Sequence, residues 1–523
     1  TGTPSSANAG SEALSTSITL GTGTGSASNY TLTQPTLANV TIGQAPLTVT
    51  GITANNKVYD GGTSATLNNG NASFTGQFAN DNLNVASDTG VFASKNVATG
   101  VAVSITGITL GGTGASNYVL SSTTASSSAN ITQLASVVWI GPATGGSWSN
   151  PANWAGGAIP DLSNVTNVVV PAADTVRFDS SVAGPVNLSN LSSGGLNMAG
   201  GTLNVASALN LANYAQTGGT FGGSGSFTVI GAFSQTAGQI NMGSGSVTID
   251  QSQGNLSFAH ISGGAVNLSS AAGSVTLGTL AASGNLAVNS AGGAITQSEG
   301  ASLNVGGTSM LQASAAGVPA DIRLTNAANT FTRAVSASGA AISLADTGAL
   351  TLGTVGASGD LTLAATGALD LGTSTVGGNL AANSGNGSVT QAGPLAVNGT
   401  TQILAGTGNI SLENPSNALN GTVTTKGGSV AITGGQSETT SNPLLTNVVS
   451  QLESSILVSG AGTQLGGIPS VGLDAFAVND SSSATASGDG TLVKVTRIGA
   501  NGPALSVFNG GVHLPDNTMT FNE

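Results

Sequence analysis

The sequence has no cysteine, so a disulfide framework and a Cys-ligated metal site are both excluded. Charge is scarce: 6% of the 523 residues are Asp, Glu, Lys or Arg, against about 25% in an ordinary soluble domain. Eight Lys and Arg and a net charge of −13 cannot form the basic footprint that nucleic acid requires. Aromatics make up only 4% and there are two histidines. No apolar run approaches the ~18 residues of a membrane helix. Glycine without a period of three, and only 15 prolines, exclude collagen. A 39% hydrophobic content argues against charge-driven disorder. What is left is a chain of 79 glycines, rich in Ser, Thr, Asn and Ala, with Val, Ile and Leu placed at regular steps. It starts at Thr1, with no initiator Met and no signal segment, as expected of a processed piece of something longer.

Internal repeats decide the fold class. ITLGTGTGSASNY at 18–30 returns as ITLGGTGASNY at 108–118. Residues 1–46 therefore read as the back half of one module, and 47–134 as a complete one. Alternation of Val, Ile and Leu with Thr and Ser, broken by Gly and Asn, predicts short antiparallel strands joined by tight turns. All three tryptophans, Trp139, Trp148 and Trp154, fall in WIGPATGGSWSNPANWAGGAIP at 139–160. Such rings bury much area for little entropy. They form either a hydrophobic cap on the first rung of a solenoid or an aromatic platform for sugars, and are the first candidate contact residues.

Over 182–436 a unit of Gly-x-apolar-x-apolar keeps returning, as in GSVTL at 273–277, GNLAV at 284–288 and GDLTL at 359–363. Two units make a period of about 19, as from Gly348 to Gly367. GNLAVNSAGGAITQ at 284–297 matches GNLAANSGNGSVTQ at 378–391, an offset of 94 that equals about five turns of 19. Each unit is one short strand, and no single turn can bury its apolar side alone, so the turns must stack. The expected fold is all-β: a right-handed parallel β-helix preceded by small antiparallel modules, with residues 135–181 opening the solenoid. Asn255, Asn285, Asn379 and Asn409 each follow the unit's glycine, which suggests either an amide ladder between turns or plain turn preference.

After Gly435 the period is lost. Leu444, Leu445, Val448, Val449, Leu452, Ile456 and Leu457 then recur at helical spacing, predicting a helix over 443–459 within a C-terminal cap at 437–523. The stretch 312–340 interrupts the period and holds Arg323 and Arg333, two of the eight basic residues. It is either a ligand-capture loop or an ordinary rung with a longer turn. No catalytic constellation, cofactor site or metal site is legible. Asp346, Asp360 and Asp370 are the densest acidic set, and in the 19-residue register they occupy different positions of the unit.

KVYDGGTSATL, FANDNLNV, VFASKNVATG and GTGASNYVL resemble the YDG/MBG repeats of large bacterial surface exoproteins. The Trp segment is similar to one that opens β-solenoids in filamentous-haemagglutinin-like proteins. Together these motifs make the chain resemble the distal part of a filamentous-haemagglutinin-like exoprotein of two-partner secretion. The resemblance implies a secreted, non-enzymatic structural or adhesive fibre on the outer face of a bacterial outer membrane. It implies an outer-membrane transporter partner during export, a glycan or host surface receptor, and head-to-tail self-association. A carbohydrate-active or ligand-capturing β-helix is the alternative.

Overall fold

A computed structural model describes residues 1–432, apart from 22, 183, 422 and 429, and the backbone of 456–458, 484–487 and 506–508. The chain forms two compact units: Thr1–Val137 with Trp154–Thr166, and Val138–Asn153 with Asn167–Glu523. The Trp-rich segment is thus divided between them.

The first unit is built from short strands. Ala45–Thr50 lies between Ser73–Thr75, antiparallel, and Tyr118–Leu120, parallel. A five-stranded sheet has Asn82–Phe92 and Ala98–Thr113 as its long hairpin, flanked by Ser64–Ala65 and Ala125–Thr132. Leu47, Leu83 and Tyr118 form a buried core, with Val49, Phe74 and Leu110 against it. The partial module at 1–46 pairs its own strands, Gly10–Glu12 with Val40–Ile42 and Thr3–Pro4 with Leu14–Ser15.

The second unit is a parallel β-solenoid. Its coils carry three strands each. In one coil these are Val266–Ser270, Val275–Leu277 and Thr279–Ala282, and the next coil begins at Leu286–Ser290. We call the corresponding sheets faces 1, 2 and 3. Face 1 stacks Val247, Val266, Leu286, Ser309 and Val335 in register. Face 2 stacks Leu256, Val275, Ile295, Ile322, Ile342, Leu361 and Leu380. Face 3 stacks Ile240, Ile261, Leu280 and Leu303. Alternation sends one set of side chains inward, so these columns meet as a buried core of Val, Ile and Leu. Fully burying each such side chain contributes about 1.5–3 kcal/mol, and only stacking makes that burial available.

The sequence period shows two Gly-led strands per coil. A third strand without a leading glycine escapes that period: His260–Gly263 follows Leu256–Ser257 directly around a bend. Coil length also varies: Ala337 pairs with Val355, whereas Ser309 pairs with Val335. The 94-residue repeat is therefore not five turns. On face 1, Leu286 leads through Ser309 and Val335 to the strand Leu350–Ala357, whose Val355 pairs with Ser374, and Leu380 then lies on face 2. The repeat spans four coils and one strand more.

The expected helix at 443–459 falls mostly outside the described residues. Its described part, Ile456–Val458, is a strand parallel to Val430–Ile432. Ala484–Ser487 and Ser506–Phe508 continue the same parallel series. Ile456, Leu457 and Val458 suit an open sheet edge, where a new strand gains ladder hydrogen bonds that an isolated helix turn cannot offer. Apart from these strands, the expected C-terminal cap of a helix and short strands lies outside the described residues.

Candidate functional site

The three tryptophans are buried, at 2%, 0% and 1% exposure for Trp139, Trp148 and Trp154. They offer no ring face to a sugar, so the platform reading is replaced by packing. In the solenoid, Trp148 stands edge-on to Phe178 with ring centroids 5.2 Å apart, and its backbone N–H donates to the carbonyl of Arg177. It therefore closes the first coils from inside. Trp154 belongs to the other unit.

Arg323 and Arg333 are not brought together as a loop. Arg323 occupies the outward column of face 2, in register with Thr276, Thr296, Ser343, Thr362 and Ala381. Its Nη2 donates to Asp321 Oδ2 at 2.7 Å, which holds the Asp321 carboxyl below the usual carboxylate range. Arg333 is exposed just before the face 1 strand Val335–Gly339. The stretch 312–340 is mostly regular rungs plus one antiparallel hairpin that pairs Ser314 with Pro319 and Ala315 with Val318. Ala316 and Gly317, both at positive φ, make its turn.

The asparagines that follow glycine do not form an amide ladder, because they stand at different faces. Asn255 and Asn379 precede face 2 strands, Asn285 a face 1 strand and Asn409 a face 3 strand. Three of them serve as caps between coils. Oδ1 of Asn255 accepts from Ser274 N–H at 3.0 Å, that of Asn285 from Thr308 N–H at 3.0 Å, and that of Asn379 from Thr400 N–H at 2.9 Å. Direct amide pairs occur elsewhere, at Asn167 with Asn190 and at Asn187 with Asn204.

Two buried amide pairs escape the sequence reading. Gln297 Nε2 donates to Asn329 Oδ1 at 2.7 Å, and Asn329 Nδ2 returns a bond to Gln297 Oε1 at 3.1 Å. Gln391 and Asn417 repeat the exchange at 2.8 and 2.9 Å. Each asparagine also accepts from a strand N–H, of Leu303 and Leu395 respectively. The visible signal is Asn-x-x-Asn, at Asn326 and Asn329 and again at Asn414 and Asn417.

The carboxylates do not converge. Asp346 is buried and accepts from the backbone N–H of Phe331 and Gly348. Asp360 accepts from Asn379 N–H, and Asp370 from Gly372 N–H. Among the described residues no three His, Asp or Glu side chains gather as metal ligands. On face 1, a shallow groove of about 160 Å³ runs between outward side chains, lined by Thr248, Asn267, Asn289, Met310 and Gln312.

A dense polar cluster lies in the first unit, around the Tyr59-Asp60-Gly61 run. Tyr59 is buried, and its hydroxyl donates to the Ile159 carbonyl at 2.9 Å and lies 3.0 Å from Asp161 Oδ1. Burial, then the Asp161 charge, push its ionisation well above the ordinary tyrosine range. Gly61 has φ +80, and a Cβ there would meet the Gly157 carbonyl at 3.0 Å. Asp161 accepts two further bonds, from Lys95 Nζ at 2.6 Å on Oδ2 and from Asn164 Nδ2 at 2.7 Å on Oδ1. The same Lys95 Nζ sits 5.9 Å from the Tyr59 ring centre, so cation, carboxylate and phenol share one pocket.

These features place the chain in the β-solenoid class of repeat proteins. The YDG domain pattern matches residues 43–125. A family described as repeats of unknown function (DUF5649) matches 263–338 and 359–426. Each of those two stretches contains one copy of the buried Gln–Asn pair. No curated protein and no solved structure matches the chain.

Proposed function

We propose that the chain is a structural and adhesive exoprotein, exported by an outer-membrane transporter and displayed on the outer face of a bacterial outer membrane. The observation that carries this reading is the pairing of a YDG domain with a coil stack whose outward columns are almost uncharged. The face 2 column from Thr276 to Ala381 holds one charge, Arg323, already paired with Asp321. Such a surface binds by hydrogen bonding and shape, and repetition along the stack lets weak contacts add. Coils also add reach without changing the surface chemistry.

The test is attachment. Beads coated with the whole chain are offered to host cells, to bacteria and to glycan-coated surfaces. Retention that survives raised salt is expected, because little of the contact is ionic. Absence of retention on every surface overturns adhesion. Release of reducing sugar from any polysaccharide replaces the reading with a carbohydrate-active one. Sedimentation of the same chain over a range of concentrations tests head-to-tail assembly, which a constant monomer would exclude.

A further inference from the structure

The geometry around Asp161 points to a covalent step: we propose that the Lys95 amine and the Asn164 side-chain amide join as an isopeptide bond, with release of ammonia. The amine, the carboxylate and the amide needed for this transfer are brought together by the fold. One carboxylate holds both reactants, Lys95 Nζ on Oδ2 at 2.6 Å and Asn164 Nδ2 on Oδ1 at 2.7 Å. The Asp161 side chain is only 7% exposed, against 33% for Lys95. An ion pair alone accounts for the first contact. It does not account for the carbonyl side of Asn164, whose Oδ1 accepts from Val97 N–H at 2.8 Å. A backbone N–H aimed at that oxygen is the donor that a tetrahedral oxyanion requires. Nδ2, the leaving nitrogen, also donates to Asn96 Oδ1 at 2.9 Å.

The arrangement is held in place. Asn164 N–H donates to the Asp161 carbonyl at 3.0 Å, and Leu134 N–H donates to the Asn164 carbonyl at 3.0 Å. Between Asp161 and Asn164, Leu162 sits at φ 49, one of two non-glycine residues in the left-handed region among those described. Such a conformation costs about 1–3 kcal/mol and persists where the surroundings impose it.

The step balances without a co-reactant. Lys95 passes a proton to Asp161 Oδ2 and becomes a neutral amine. Its lone pair attacks Asn164 Cγ, forming the C–N bond, while the Val97 N–H holds the oxyanion. The Cγ–Nδ2 bond then breaks, and Asp161 delivers its proton to the departing nitrogen. The second proton from Nζ follows, so a lysine ammonium and an asparagine amide become a secondary amide and an ammonium ion. Proximity substitutes for an activated acyl donor.

The experiment is the intact mass of the purified full chain after denaturation. A mass one ammonia below that of the sequence is expected. Cleavage before aspartate should then deliver 88–160 and 161–173 as one joined species, with the junction between Lys95 and Asn164. A full mass with the two peptides separate overturns the proposal. Loss of water with a junction at Asp161 overturns the assignment of Asn164 as acyl donor. The variant Lys95→Arg keeps the cation beside Asp161 and removes the nucleophile, so it should show the full mass. If it still lacks one ammonia, the loss is a succinimide elsewhere and the proposal fails. Asp161→Ala, checked for native circular dichroism, should leave both reactants unjoined.

Discussion

Leu286 and Leu380 are equivalent residues of two successive sequence repeats, yet they enter the core from different faces. Leu286 pairs with Ser309 on face 1, whereas Leu380 pairs with Leu361 on face 2. The same shift carries Ile295 on face 2 to Val389 on face 3. Further on, where the offset shortens to 92, it also carries Ser309 to Thr401: both are buried at the start of a strand, one on face 1 and one on face 2. Equivalent residues therefore keep their inward orientation while changing sheet, which is feasible because the three faces present one kind of small apolar interior.

Trp148 closes the first coils, so Trp148→Ala should destabilise the solenoid by about 3–5 kcal/mol, the usual cost of emptying a large aromatic site. Denaturant titration measures this. Iodide should quench little of the native tryptophan emission, and added oligosaccharides should leave its wavelength unchanged. A sugar-dependent shift would restore the platform reading.

The Gln297–Asn329 pair ties the Leu303 N–H and the Ala301 carbonyl into one network. Asn329→Ala strands the Leu303 N–H in the core and leaves Gln297 Nε2 only the Ala301 carbonyl, with an expected cost of about 1–3 kcal/mol. Hydrogen exchange should show the loss first in the coils around 297–335. Gln391→Ala or Asn417→Ala should reproduce the effect one repeat on, without changing exchange at 297.

Gly61→Ala places a Cβ at φ +80 and within 3.0 Å of a backbone carbonyl. The expected loss is about 1–3 kcal/mol, confined to the first unit. Thermal unfolding that moves the solenoid transition instead would contradict this.

Tyr59 and Tyr214 both hold their phenolic protons more tightly than free tyrosine, Tyr59 through burial and then Asp161, Tyr214 through burial. The unfolded chain releases such protons at pH ~10. The folded chain does not, so their contribution to stability is complete below that value and falls as pH rises past it. Tyrosinate absorbance in an alkaline titration should lag for both residues and then appear together with unfolding. At the acid end Asp321 works in the opposite sense. Arg323 and then the Ala341 N–H lower its pKa, so its contribution is present above the ordinary carboxylate range and fades below it.

Much of the architecture was legible. The Gly-x-apolar-x-apolar units fall on strands of the stack, because inward alternation and a glycine at the bend leave a plain trace. The 19-residue step from Gly348 to Gly367 also matches the pairing of Thr351 with Asp370. A third strand such as His260–Gly263 left no such trace, since the bend between Leu256 and His260 holds no glycine. The candidate contact residues were less legible. Burial of Trp148 depends on Phe178 arriving from the next coil, and the Arg323 pairing depends on a short turn within one face. Lys95, Asp161 and Asn164 lie in two distant stretches with no repeat between them, so only the fold brings them together.

The extra strand in each repeat has a geometric outcome. Equivalent outward side chains, such as Ala287 and Ala381, point from neighbouring faces. A third repeat of the same length would bring the motif to the remaining face, and a fourth would return it to the first. A pattern that looks like a line in the sequence becomes a spiral staircase in space, and a partner approaching from any side meets the same step at a different height.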